Sequence, residues 1–590
     1  MIACKMPYFR PNPRRGAACC LLAALLALAA EPAAAAIDVE VTGVDGELQS
    51  NVLVYLSLQR YSKRDDIDAD TLQRLCDRAE GEVKSALRPL GYYEPQVRAT
   101  CTPRRNGGQV RIDVTPGEPV RVRELKIAIE GPGADDPAFD GIRNQTLLRE
   151  GTRLHHGAYE RVKGEMTRAA DENGYLTARL LDGDARLVVD PQSHTAGIKL
   201  VLDTGLRYHF GEVNIDQAVI RPGLMERFVR FQEGEPYNAN ALLSTQFALD
   251  DSLYFSRIDV TPGEPDPESL TVPVSITATK SRPVLSLGAG YGTDTKVRGT
   301  ATWTDSRVND RGHRLRFEIK ASASTRNINS RYDIPIGDPA LEKLSFELLN
   351  EFAEKPGYDT NETTLRPAVT RVNGRWQTVT SLSLTRTTTE GEDVDIANNL
   401  LVPGLVIASV PENFLGQALF TRGFYSEIIG SHTSLGSGTN FLRARVQLEK
   451  SFNVASRLHL LLRGEVGTTL VEDFDRLDGI YRFLAGGDRS VRGFAFNSLS
   501  PRDPVSDEAT GGRHLLTGSV ELVRDLPRNF GVATFVDAGN AFNHFGDRVE
   551  YSAGVGFRYR VSVLSLGFDI AKPLSTNGKY RLHLNISPIL

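Results

Sequence analysis

Two rhythms of apolar and polar residues divide this chain near residue 283. Downstream, apolar side chains alternate with polar or small ones. Leu285, Leu287, Ala289 and Tyr291 stand against Ser286, Gly288, Gly290 and Gly292, and Leu315, Phe317, Ile319 and Ala321 against Arg316, Glu318, Lys320 and Ser322. The period of two returns at Leu442, Ala444, Val446 and Leu448, at Leu564, Leu566, Phe568 and Ile570, and at Leu582, Leu584 and Ile586, the last set against Arg581, His583 and Asn585. Successive strand residues point to opposite faces, so each run predicts a strand with one apolar and one polar face. Charges as dense as Arg316, Glu318 and Lys320 fit a wet lumen better than a protein core, which assigns the apolar face to lipid and the whole to a transmembrane barrel. At roughly 18–20 residues per strand and connection, the 308 residues of 283–590 give about 16 antiparallel strands. Closure leaves no unpaired edge in the membrane.

Upstream, between residues 37 and 282, helical and strand patterns mix. Leu72, Leu75, Cys76, Ala79, Val83 and Leu87 recur at helical spacing after Asp70-Thr71-Leu72-Gln73, which resembles a capping box. The helix stops near Pro89-Leu90-Gly91-Tyr92, and a strand-like stretch at 95–100 follows. Tyr159, Val162, Met166 and Ala169 lead likewise into Asn173-Gly174-Tyr175-Leu176 and a strand at 177–181; residues 241–249 lead into Ser252-Leu253-Tyr254-Phe255 and a strand at 257–261. The marker residues Tyr92, Tyr175 and Tyr254 lie 83 and 79 residues apart, and the 246 residues of the region make three units of 82. The two counts agree, which predicts an internal repeat. Strands at 120–129 and 206–215 open the second and third units. The expected fold is therefore α+β repeats plus an all-β half. Three modules of β-helix-helix-β-β order cover 37–117, 118–203 and 204–282, and a barrel covers 283–590.

The formal net charge of -5 gives no electrostatic reason to expect nucleic acid as a partner. Residues 1–36 read as a secretory signal peptide. Lys5, Arg10, Arg14 and Arg15 are its basic start, the apolar run 17–30 is too short to span a bilayer as a helix, and Ala34-Ala35-Ala36 supplies the cleavage pattern. Cys4, Cys19 and Cys20 leave with it. Cys76, on a helix, and Cys101, at a strand end, remain. An exported pair most often forms a disulfide, here worth roughly 3 kcal/mol by loop entropy. No histidine pair is spaced to join them around a metal, no nucleophile–base set has a recognisable spacing, and no cofactor motif is present, so nothing supports an enzyme.

One segment breaks the alternation: Arg482-Phe483-Leu484-Ala485-Gly486-Gly487-Asp488-Arg489-Ser490-Val491-Arg492-Gly493-Phe494. Two later strands bring carboxylates to the inner face. The parity of 519–523 turns Glu521 inward. In 532–540, Val532, Thr534, Val536 and Ala538 face lipid and leave Phe535, Asp537 and Gly539 inside. A loop folded into the lumen places the Arg492 guanidinium between Glu521 and Asp537, where a planar fork suits carboxylates. A solvent-exposed Arg-Gly-Phe loop accounts for the same residues equally well.

Val491-Arg492-Gly493-Phe494, the preceding Gly486-Gly487 and the later Phe535-Val536-Asp537-Ala538-Gly539 resemble the BamA/TamA outer-membrane assembly superfamily. The resemblance implies that the loop inserts into the barrel and docks on Glu521, Phe535, Asp537 and Gly539. It implies that the modules are POTRA domains in the periplasm beneath an outer-membrane barrel. Three modules, together with Gly290-Tyr291-Gly292-Thr293-Asp294-Thr295 and Asn309-Asp310-Arg311-Gly312-His313, look TamA-like, whereas BamA-like members usually carry five modules and two-partner secretion transporters two. That branch implies a TamB-like periplasm-spanning partner, unfolded outer-membrane or autotransporter clients, and contact with outer-membrane lipid. It also implies first and last barrel strands, near 283–293 and 580–589, that pair weakly and open sideways. Phospholipid transport through the same bridge is the rival reading; a two-partner secretion transporter is a second, and should show two modules and an N-terminal plug helix. The ending Ser587-Pro588-Ile589-Leu590 departs from the terminal aromatic common in such barrels.

Overall fold

The computed structural model describes residues 37–588 except 63, 65–66, 105–106, 294–295, 356–357, 392–394, 410–422, 505–506, 508, 528 and 562–563, so the expected signal peptide lies outside the described residues. The first module comprises β1 (Ile37–Thr42), α1 (Gly46–Tyr55), α2 (Ser57–Tyr61), α3 (Ala69–Leu87), β2 (Gln96–Arg104) and β3 (Gly107–Thr115). Its sheet order is β1-β3-β2, with β1 parallel and β2 antiparallel to β3. The residues read from helical spacing, Leu72, Leu75, Cys76, Ala79, Val83 and Leu87, form the buried face of α3 and pack on Val110, Ile112 and Val114 of β3. Its cap differs from the expectation. Asp68, in extended backbone, accepts from the Thr71 amide at 2.8 Å, while Asp70 lies within the first turn, where its charge favours the helix dipole. Cys76 and Cys101 stand with Cα atoms 6.4 Å apart, inside the span of a disulfide.

The second module repeats the plan with β4 (Arg121–Glu130), α4 (Asp140–Arg143), α5 (His156–Glu172), β5 (Arg179–Asp190) and β6 (Thr195–Asp203), in sheet order β4-β6-β5. Glu47 of the first module takes Arg153 and His155 of the second, both at 3.1 Å, and the Tyr93 hydroxyl meets His156 Nε2 at 2.6 Å. The hydrogen bond from His155 holds the Glu47 carboxyl below its ordinary range. In the third module β7 (His209–Asp216), α6 (Pro222–Met225), α7 (Ala239–Asp251), β8 (Phe255–Pro262) and β9 (Thr271–Lys280) give the order β7-β9-β8. Predicted helices and strands thus recur in the expected order, with strands commonly running a few residues longer than their apolar cores.

Packing divides the chain into two compact units. One holds the first two modules; the other holds most of the third module together with the barrel. Within the latter, Arg230 grips Asp338 of a barrel turn through Nη1 and Nη2 at 2.5 and 2.9 Å. The Tyr254 hydroxyl donates to the Gly312 carbonyl at 2.8 Å. Gly312 lies in the Asn309–His313 segment singled out above. Its φ of +73 and a would-be Cβ only 2.7 Å from Leu224 Cδ2 and Tyr254 Oη leave room for glycine alone. Burial pushes the Tyr254 hydroxyl up to about 12.

The barrel strands are β10 (Val284–Gly292), β11 (Lys296–Asp305), β12 (Arg314–Ala321), β13 (Thr325–Pro335), β14 (Glu342–Lys355), β15 (Tyr358–Asn373), β16 (Trp376–Glu390) and β17 (Asp395–Ser409). They continue with β18 (Phe424–Ser431), β19 (Phe441–Ala455), β20 (Leu458–Val471), β21 (His514–Asp525), β22 (Phe530–Phe542), β23 (Glu550–Val561), β24 (Leu564–Pro573) and β25 (Arg581–Pro588). These sixteen strands follow chain order round a closed antiparallel barrel, the number the alternation predicts. Leu285, Leu287, Phe317, Ile319, Leu442 and Leu448 are exposed on the outside, whereas Glu318 is buried between Arg316 and Lys320, each 2.7 Å away. Closure is uneven. β10 registers nine residue pairs with β11, and β24 eight with β25, but β10 and β25 share two, Tyr291–Ile586 and Gly292–Asn585. Among the described residues, a single further backbone bond, Thr293 N to Leu584 O at 3.0 Å, extends this seam. No described helix is long and apolar enough to cross a membrane, which says nothing of strands.

Candidate functional site in the barrel lumen

Between β20 and β21 the described residues of the connection 472–513 fold inward rather than outward. Apolar contacts hold it: Phe474, Leu477 and Tyr481 pack with Leu400, Val402 and Phe441, and Phe483, Ala485, Val491 and Leu499 with Leu515 and Ala541 of the wall, where Phe494 joins them. Polar groups buried with it are matched. Asp478 accepts from Thr387 at 2.5 Å and Asn398 at 3.0 Å, and Arg482 donates to the carbonyls of Leu477, Phe474, Asp475 and Thr510. A buried loop whose own groups are satisfied in this way is fixed in place.

Arg492 is buried with them, 2 % exposed. Its Nε and Nη2 donate to Asp537 Oδ2 and Oδ1 at 2.7 and 2.9 Å, and its amide adds a third bond to Oδ2 at 3.0 Å. Nη1 donates to Glu521 Oε2 at 2.7 Å, and Nη2 reaches Ser519 Oγ at 3.2 Å. The guanidinium stacks on Phe535, its Cζ 3.3 Å from the ring centroid. The Ser552 hydroxyl donates to the Arg492 carbonyl. Gly493 follows with φ +97, and a Cβ there would meet Ser552 Cβ at 3.1 Å and Pro573 N at 3.2 Å. Gly486 and Gly487, both at positive φ, turn the chain before the motif. Gly539 packs against Leu516 and Thr517 of the neighbouring strand, and among the described residues no hydrogen bond joins it to the loop.

The cluster extends past the residues chosen from sequence. Arg558 on β23 joins Glu521 at 2.9 Å and Asp569 of β24 at 2.5 Å, and Asp569 also lies 3.4 Å from Arg492. On β25, His583 Nε2 lies 3.1 Å from the Gly493 amide, and His583 Nδ1 bonds Asp488. Both Asp569 and His583 occupy the polar parity of strands whose alternation was plain, so parity could have nominated them. Nothing local could have tied them to a loop about 80–95 residues away. Thus one loop contacts β21, β22, β23, β24 and β25, and what it offers is a set of charged braces rather than a reaction centre. Among the described residues no group of three His, Cys, Asp or Glu side chains could hold a metal.

A sixteen-stranded barrel with an apolar exterior, a wet charged lumen and small α+β modules at its N-terminal side defines an outer-membrane barrel protein with a periplasmic module array. Family models agree: residues 410–587 match the Omp85 superfamily domain, and residues 38–116 the first POTRA domain of TamA. The chain is 26% identical over 147 residues to the outer membrane protein assembly factor BamA of Nitratidesulfovibrio vulgaris, covering 24% of this chain and 19% of that one. It is 21% identical over 470 residues to BamA of Neorickettsia risticii, covering 73% of this chain and 61% of that one. The chain therefore spans less than two thirds of these curated relatives. The crystal structure of BamA from Haemophilus ducreyi lacking POTRA domains 1–3 shares the fold, with a TM-score of 0.60 at 17% identity over 79% of this chain and 99% of that one. Residues 410–587 are thus an Omp85-type domain and residues 38–116 a TamA-type POTRA domain, which supports the BamA/TamA outer-membrane assembly superfamily and sets the barrel in the outer membrane and the POTRA modules in the periplasm.

Proposed function

We propose that this chain is the outer-membrane component of a translocation and assembly module, inserting or translocating β-barrel or autotransporter proteins with a TamB-like periplasm-spanning partner. The observation that carries the reading is the seam, where β10 and β25 share two register pairs while β10 and β11 share nine. At about 0.5–1.5 kcal/mol net per hydrogen bond, parting the seam costs a few kcal/mol, and parting a full ladder several times that. A client strand that pairs with β10 as β25 leaves keeps its backbone groups satisfied in lipid. The sheet edges of the modules accept client or partner strands by β-augmentation. Arg492, docked on Glu521, Phe535 and Asp537, keeps the wall from β21 to β24 in register while the seam parts. A Cys76–Cys101 bridge stiffens the first module in the oxidising periplasm. The TamA-type match of residues 38–116 supports this branch over its relatives. The test is to deplete the protein and measure autotransporter assembly and outer-membrane phospholipid content side by side. Assembly is expected to fall; loss of phospholipid alone would move the function to lipid transport.

A further inference from the structure

The turn that precedes Arg492, closed by bonds from Gly487 N to Val491 O at 3.3 Å and from Ser490 N to Gly487 O at 3.2 Å, carries Asp488 to the place where β10 and β25 meet. One carboxylate oxygen, Oδ1, bonds groups at both edges. It takes the hydroxyl of Thr293, the residue after β10, at 3.3 Å, and Nδ1 of His583 on β25. The other ring nitrogen of His583, Nε2, faces the Gly493 amide at 3.1 Å. An amide only donates, so Nε2 accepts and the ring proton sits on Nδ1, directed at Asp488. His583 is 4 % exposed, so this bond forms away from water, where a charged acceptor counts most. Among the described residues the seam's backbone contributes two register pairs and the bond from Thr293 N to Leu584 O. Against so short a ladder, bonds from one anion to both sides are a large share of what holds it.

We infer that Asp488 is a latch across the seam, a positioning residue that holds β10 and β25 together from inside the lumen for as long as the loop stays docked. Withdrawing the loop tip releases both edges at once, so docking of the loop and closure of the seam become one event. This deepens the assembly reading, because it names what a client or partner must disturb before the barrel opens.

Hydrogen–deuterium exchange of the full chain in lipid nanodiscs tests it, because the amides of Tyr291 and Thr293, on the side of the strand that faces β25, are released when the seam parts. Asp488→Ala should accelerate their exchange about tenfold, the effect of losing one charge-assisted hydrogen bond, with β15–β16 unchanged. Asp488→Asn, which keeps an acceptor oxygen but not the charge, should fall between. Adding Tyr291→Cys with Ile586→Cys under oxidation should return the rate to that of the parent. Unchanged exchange at Tyr291 and Thr293, or equal acceleration in β15–β16, would overturn the latch. Exchange that accelerates at the seam in cells whose client assembly proceeds without this protein would leave the latch standing and sink the assembly reading, so the two fail separately.

Discussion

Replacing Arg492 by alanine removes the cation from a set of carboxylates that water barely reaches, with Asp537 at 0 % and Glu521 at 4 % exposure. The loss is unequal. Arg558 still holds Glu521 at 2.9 Å and Asp569 at 2.5 Å, whereas Asp537 loses both bonds from the guanidinium and keeps, among the described residues, one hydrogen bond from the backbone amide of residue 492, with the Arg463 charge nearby. Removing one partner of a buried pair costs about 3–5 kcal/mol, and this figure should appear as reduced stability of the folded barrel in urea titrations followed by heat-modifiable gel migration. A cycle with Asp537→Ala isolates the pair. If Asp537 is the group stranded, the double variant should cost about 1–3 kcal/mol less than the sum of the singles. Arg492→Lys keeps the charge but not the two-pronged contact or the stacking on Phe535, so it should fall between parent and alanine. Additivity within about 0.5 kcal/mol, or a single-variant cost under about 1 kcal/mol, would refute the docking argument.

Three further outcomes follow from the geometry. Arg230→Asp should detach the third module from the turn at Asp338, and Asp338→Arg should restore it; with both partners partly exposed the pair is worth about 1 kcal/mol, read most directly as protease sensitivity of the 204–282 region. Protection that does not change in either variant would contradict the contact. Tyr254 ionises at about 12 when folded against about 10 when unfolded, so its contribution is complete below pH 10 and is lost as pH rises through 12. Absorbance titration should show Tyr254→Phe removing one late-titrating tyrosine, and a tyrosine population titrating wholly near pH 10 would contradict it. Reduction, or Cys76→Ser with Cys101→Ser, should lower the stability of the first module by roughly 3 kcal/mol; thermal melts insensitive to reductant would show that the pair is not bridged.

Much of the architecture could be read from the chain because its signals are local. A barrel strand must alternate to stand between water and lipid, so the sixteen strands announce themselves in runs such as Leu442 to Glu449. The module repeat shows because each unit buries the same face of a helix on a sheet. Glu521, Phe535 and Asp537 were legible by parity, and Arg492 by its glycine-flanked loop. What parity cannot supply is the pairing of distant elements. Asp569, Arg558 and His583 join the cluster only once β21 to β25 lie side by side, and Asp488 looks like any loop carboxylate until Thr293 and His583 flank it. The two register pairs between β10 and β25 among the described residues are equally silent, since both strands alternate as well as their neighbours. At Gly539 the motif suggested loop contact, whereas a Cβ there would meet Leu516 and Thr517 of the neighbouring strand.

In the proposed function, clients enter the membrane through the β10–β25 seam. A disulfide between Tyr291→Cys and Ile586→Cys, formed in the outer membrane of cells that depend on this protein for autotransporter assembly, tests it most directly. Assembly should stop when the seam is stapled and resume on adding reductant, while a staple at Leu365→Cys and Leu384→Cys, within the wall, should have no effect. Assembly that continues at the parental rate through a fully stapled seam would contradict it.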